Sequence, residues 1–498
     1  MYTKHTLLAA TAAVSTALAQ SSNDETVLAA YVFHRHGDRT PKILGNTRLT
    51  NLGYDQVLAS GTYFNDRYIS NTSSTGTTIL GISAPLVSYA QLTASAPAND
   101  VVLQNSAQGF LQALYPPVNG DGNVGAQELR NGTTVGLPMN GYQLIPVAEV
   151  SSGANSENSG WLQDATQCNN AKVSSNQYFS SGDYTSLLNS TGDFYDRLLP
   201  VVQGAFNQST NTFKNAYAVY DYVNVALIHN TTIPSSDLLD NDTFHQLQAL
   251  ANAHEWGLAY NRSSPIRAVA GMTLAAEITD YFNTTLSSSG AKNKLGIQFG
   301  AYGTFASFFG LAQLDLVNVN FTGVTDYASS MVFEMFTNGS SANAFPTNEA
   351  DVYVRFLYHN GTASEGSPLD VYPLFNSGSD SLSWADFLSG VNQFALNDEE
   401  SWCTACGNVT GSCAAYSPDA SSSGSSASSG SNSGGNSKSG NGLSPAVNGV
   451  IGAFVTLGVL LLIAAIVLLV GGFRLVSKKR LAGVGAGNGT IDSMAKEA

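Results

Sequence analysis

Residues 26–33 read TVLAAYVF, and residues 34–41 continue at once as HRHGDRTP. Eight residues without a charge are a strand's length, and the abrupt change to a polar loop marks where the strand surfaces. In open α/β sheets, ligands sit beyond the carboxyl ends of the strands, which is where this loop falls. Within it, Arg35 and Arg39 flank His36, and Gly37 lets backbone come close to a bound group. Arginine forks match the oxygens of a tetrahedral oxyanion bidentately. The same positive charges favour neutral imidazole, whose ring nitrogen can then attack phosphorus. The competing local reading makes His36 a packed loop histidine, with the arginines paired to nearby acids such as Asp38.

Working outward, the middle of the chain has helical spacing of apolar residues over Asp193 to Ala216, Asp240 to Leu258 and Ile266 to Tyr281. The expected architecture is α/β, a central sheet flanked by helices with a mainly helical insert at about 120–265, within a domain of residues 20–416. Residues 1–19 read as a signal peptide: Lys4 and His5, an apolar run, then Ala17-Leu18-Ala19. Residues 417–445 are almost only Ser, Gly, Asn and Ala, a flexible linker. Residues 446–473 are apolar, long enough to cross a hydrocarbon core of about 30 Å, and Arg474, Lys478, Lys479 and Arg480 follow. The positive-inside rule then places residues 474–498 in the cytoplasm and the N-terminus outside, at the plasma membrane or cell surface, with the vacuolar membrane as the other compartment.

Of the 498 residues only 11% are charged, and the net charge is −15. That balance repels a phosphate backbone, and no basic stripe offsets it, so nucleic acid is not an expected partner. Asn-x-Ser/Thr sequons stand at Asn71, Asn131, Asn189, Asn207, Asn230, Asn241, Asn261, Asn283, Asn320, Asn338, Asn360 and Asn408, predicting N-linked glycans on a chain in the secretory pathway. Cys168, Cys403, Cys406 and Cys413 are an even set in an oxidising compartment, and sequence does not choose among their three pairings. Cys403-x-x-Cys406 also has the spacing of a redox or zinc half-site. No second ligand pair with metal spacing accompanies it, so disulfides are expected and neither metal nor cofactor is.

The run from Arg35 to Pro41 resembles the signature of the histidine acid phosphatases, the family of fungal acid phosphatases and phytases. Ser106 to Pro117, Tyr327 to Phe336, Val354 to Tyr358 and Tyr372 to Phe375 are similar to later segments of that family. The resemblance implies an α/β domain with a helical insert and a phosphomonoester or inorganic phosphate as ligand. It implies His36 as nucleophile, Arg35 and Arg39 as phosphate clamp, a third arginine near Ala96, and a His-Asp pair supplying the leaving-group proton. This chain has no arginine around Ala96, and it reads Ala301-Tyr302 where His-Asp is expected, leaving Tyr302 at the acid position. The expected protein is therefore a membrane-anchored, extracytoplasmic phosphatase of reduced activity. The alternative is a catalytically inactive surface glycoprotein that binds phosphate ligands or is structural.

Overall fold

The computed structural model describes residues 25–70, 77–118, 124–150, 167–230, 232–338 and 344–417. The expected signal peptide, the linker from residue 418 onward, the span and the tail lie outside the described residues. Among the described residues no helix is long and apolar enough to cross a membrane.

The described residues form ten strands: β1 Thr26–Arg35, β2 Leu92–Pro97, β3 Gln127–Glu128, β4 Thr134–Val135, β5 Ala148–Val150, β6 Leu295–Gly300, β7 Ser330–Thr337, β8 Val352–His359, β9 Asp370–Tyr372 and β10 Leu382–Ser383. Eight make one sheet in the order β10-β8-β7-β1-β6-β2-β5, with β9 also on β8, while β3 and β4 form a separate hairpin. The uncharged run does make a central strand, parallel to β6 and antiparallel to β7. It extends two residues beyond the run, through His34 and Arg35.

Alternation along β1 decides which layer each side chain serves. Ala30 and Val32 face the cluster built on Phe64 of helix α1 (Asn51–Tyr68) and Phe110 of helix α2 (Val101–Leu114). Tyr31 and Phe33 face the opposite layer, where Tyr31 meets Tyr281 and Phe33 meets Phe305, both edge to face. That layer comprises the helices Val269–Ser287 and Tyr302–Leu311. A third cluster, with Tyr195, Phe213, Val219 and Leu247, is the core of the helical insert, and Tyr302 belongs to it. One residue thus joins the insert to the sheet's end.

Of the expected helices, Asp240 to Leu258 forms as Asn241–Ala259, with the Asp240 carboxylate accepting from Thr243 N at 2.7 Å as N-cap. Asp193 to Ala216 splits instead. A helix Gly192–Val202 ends just after Pro200, and a new one, Ala216–His229, follows a 3-10 turn. The third begins three residues late, as Val269–Ser287, behind the 3-10 turn Pro265–Ala268. Residues 127–150 supply the hairpin and β5, which pairs with β2, and the insert's helices run from Asn169 onward.

The cysteines pair as Cys168–Cys406 and Cys403–Cys413. Cys403 and Cys406 therefore bond to different partners, which overturns a redox pair or zinc half-site made of the two. In the middle of β7, opposite Ala30 of β1, buried Glu334 accepts from Arg67 at 2.7 Å, Tyr68 at 2.5 Å and Arg355 at 2.5 Å. Burial alone raises a carboxyl's pKa, but the two guanidinium groups outweigh it and hold Glu334 down at about 2.

Candidate active site

The motif loop leaves β1 at Arg35, opposite Gly300 of β6, so Ala301 and Tyr302 emerge beside His36. The start of α1 fixes the loop from below. Thr50 N donates to Asp38 O at 3.0 Å, and Thr50 Oγ1 donates to Asp38 Oδ2 at 2.5 Å while capping Gly53 N. Gly37 is required here for a reason sequence did not show. A Cβ at Gly37 would lie 2.1 Å from Gly53 O, so the helix backbone by itself leaves no room for a side chain.

His36 is buried, and its Nδ1 lies 2.7 Å from Gly37 O. A carbonyl only accepts, so Nδ1 carries the hydrogen and Nε2 holds the lone pair. The ring packs on Tyr327, with centroids 5.6 Å apart. Two residues earlier, His34 lies on the face of β1 that carries Ala30 and Val32, among Phe64, Phe110 and Phe299. Burial pushes its imidazole down from 6.5 to about 4.

Arg35 donates from Nη1 to Thr325 O, and its guanidinium lies 4.7 Å from the Tyr327 ring and 5.4 Å from the Tyr302 ring. Arg39 reaches Asp221, on helix Ala216–His229, at 3.0 and 3.2 Å, and donates to the Tyr217 hydroxyl at 3.0 Å. Asp221 also accepts from Lys42 N at 2.9 Å and from the Tyr327 hydroxyl at 3.4 Å. Asp38 turns to His229, whose Nε2 stands 2.5 Å from Oδ2. The two acids are both buried.

Ala96 is buried in β2, so a methyl group occupies the place where a third arginine is expected. Tyr302 opens the helix Tyr302–Leu311, and its hydroxyl donates to Glu255 Oε2 at 2.7 Å. Glu255 Oε1 in turn meets His254 Nδ1 at 2.7 Å. His254 is buried, and through Glu255 the pair is hydrogen-bonded to Tyr302. The site therefore joins an imidazole lone pair, two guanidinium groups and a phenol wired to a carboxylate, a set suited to a small oxyanion. Asp221, His229, Tyr217 and the link to Glu255 carry no motif in the sequence. Only the packing of the insert against the loop reveals them. Among the described residues no group of His, Cys, Asp and Glu forms a metal site.

A scan against protein families matches residues 43–359 to the histidine phosphatase superfamily (branch 2), a span that begins just past the motif loop. A search of curated protein sequences gives no match. Among solved structures, the phytase of Klebsiella sp. ASR1 is similar with a TM-score of 0.50 at 12% identity, covering 75% of this chain and 97% of that one. The phytase of Citrobacter braakii gives 0.49 at 14% identity, with 77% and 99% covered. The phytase of D. castellii gives 0.44 at 13%, with 82% and 87% covered. At such identities the Klebsiella likeness speaks for the fold alone.

Proposed function

The chain belongs to the histidine phosphatase superfamily, branch 2, and from that premise we propose that it hydrolyses phosphomonoesters through a phosphohistidine at His36, outside the cytoplasm and tethered by one membrane helix. The observation that carries the reading is the Nδ1 contact of His36 with Gly37 O at 2.7 Å, which turns Nε2 into the lone-pair nitrogen between Arg35 and Arg39. Nε2 attacks phosphorus, the ester P–O bond breaks, and the leaving oxygen takes a proton. Water then attacks the phosphohistidine, releasing inorganic phosphate and restoring the neutral imidazole. The candidate proton source is Glu255 acting through the Tyr302 hydroxyl, 2.7 Å away.

Turnover on this reading is attenuated. A dedicated general acid contributes about 10²–10⁴ in rate, of which a carboxylate acting through a phenol recovers only part, and an absent charge-stabilising donor costs about 10²–10³. Glycosylation and export are supported by the exposure of the sequons. Asn71 lies outside the described residues, Asn261 and Asn408 are half-buried, and the other nine are exposed. The membrane tether rests on the sequence of residues 446–473.

A second reading, a phosphate-binding surface protein without turnover, draws on the pairing of Arg39 with Asp221 and on the methyl group of Ala96. Hydrolysis of an activated aryl phosphate between pH 3 and 7, by the wild type beside His36→Ala, separates the two. Activity that vanishes with His36 supports the phosphatase. Equal background rates in both proteins sink it.

A further inference from the structure

Of the two guanidinium groups that flank His36, Arg39 is held by the buried carboxylate of Asp221, while the motif's own Asp38 turns to His229. The charge of Arg39 is therefore offset before a ligand arrives. Each phosphate monoester group brings −1.5 to −2 near neutral pH, so a polyol with several phosphates needs a cationic wall. The walls here are aromatic instead. Tyr327 lies against both His36 and Arg35, and the Tyr302 ring stands between Arg35 and Tyr217, 4.7 Å from the latter. The apolar character continues outward. Ile43 and Leu44 are exposed in the 3-10 turn that packs on helix Ala216–His229, and Leu227 and Ile228 are exposed at that helix's end.

A second, independent observation concerns the leaving group. With Ala301-Tyr302 in place of a His-Asp pair, the proton supplied to the departing oxygen is weak, which favours alcohols of low pKa. A phenol, at about 10, is the biological class that fits.

We propose that the site takes a monophosphate ester of an aromatic alcohol, and that Asp221, by holding Arg39, excludes polyphosphorylated substrates. This deepens the phosphatase reading above and rests on it for the reaction, though not for the binding preference. Aromatic rings stack on the tyrosine wall with offset or edge geometry. A second phosphate would find the Arg39 charge already offset by Asp221, and would gain little attraction from it.

The test uses the full chain in mild detergent, carrying His36→Ala so that ligands persist, with calorimetric titration of phenyl phosphate and inositol hexakisphosphate. Phenyl phosphate is expected to bind about tenfold or more tightly than inositol hexakisphosphate. Adding Asp221→Asn should narrow that ratio about tenfold by strengthening inositol hexakisphosphate, while Asp221→Glu, which keeps the charge, should leave it unchanged. Equal or tighter binding of inositol hexakisphosphate before Asp221 is touched overturns the inference, as does binding of neither ligand. An Asp221→Asn protein that folds and keeps the original ratio overturns the role of Asp221. The wild type run with phenyl phosphate reads the reaction separately. If it fails to turn over while the binding order holds, the phosphatase reading fails and the preference stands.

Discussion

Replacing His34 by leucine tests how the site strand tolerates acid. His34 is fully buried in an aromatic cage, its Nδ1 takes the Arg35 carbonyl at 2.6 Å, and its Nε2 finds no partner among the described residues. Burial is the main cause of its pKa falling from 6.5 to about 4. The hydrogen bond to the Arg35 carbonyl opposes it. A histidine whose folded pKa is depressed contributes stability that is complete above its unfolded pKa and is lost as pH falls toward the folded one. For a shift of that size, the fold loses roughly 2 kcal/mol between pH 7 and pH 4.5 from this residue alone. Leucine does not titrate, so the variant lacks that loss. Its missing hydrogen bond costs about 1 kcal/mol at every pH. Urea unfolding of both proteins at pH 7 and 4.5 reads the difference of differences. Wild type should lose about 2 kcal/mol more than His34→Leu across the interval. If the gap between the two proteins is the same at both pH values, the imidazole titrates normally and the argument from burial is wrong.

Two further outcomes are expected. Glu255→Gln should lower the kcat for an alkyl phosphate about 100-fold while slowing an activated aryl phosphate far less; equal losses on both substrates would remove Glu255 from proton delivery. Glu334→Gln leaves Arg67 and Arg355 facing a neutral partner and should cost about 3–5 kcal/mol at pH 7. Because the Glu334 pKa is depressed to about 2, its contribution is present above the unfolded value of 4.5 and is lost as pH falls below it. The gap to wild type in urea unfolding should therefore shrink between pH 4.5 and 2, and a gap that is flat with pH would contradict the pairing.

What the sequence made legible was local chemistry. The run 26–33 carried enough apolar residues to mark a buried strand, and Asp240 marked a helix start because N-capping is written within three residues. The motif loop was legible because its five key residues are contiguous. Asp221 was not, since it meets Arg39 from 182 residues away and only the seating of the insert brings them together. Glu255 went unread for the same reason, as helical periodicity says nothing of what arrives from the end of β6. Gly37 was marked as necessary on account of a bound group, and its need against the backbone of Gly53 is invisible in a linear reading. The cysteine pairing lay beyond reach in principle, four cysteines being compatible with three arrangements.

The Cys168–Cys406 bond ties the first turn of the insert to the last long helix of the described chain, across 238 residues of sequence. Tension applied at the C-terminal end meets this crosslink, and the shorter Cys403–Cys413 clasp, before it reaches any strand of the central sheet. A pull from that side is thus borne by the helical insert, and the short strands β9 and β10 are shielded from being peeled away.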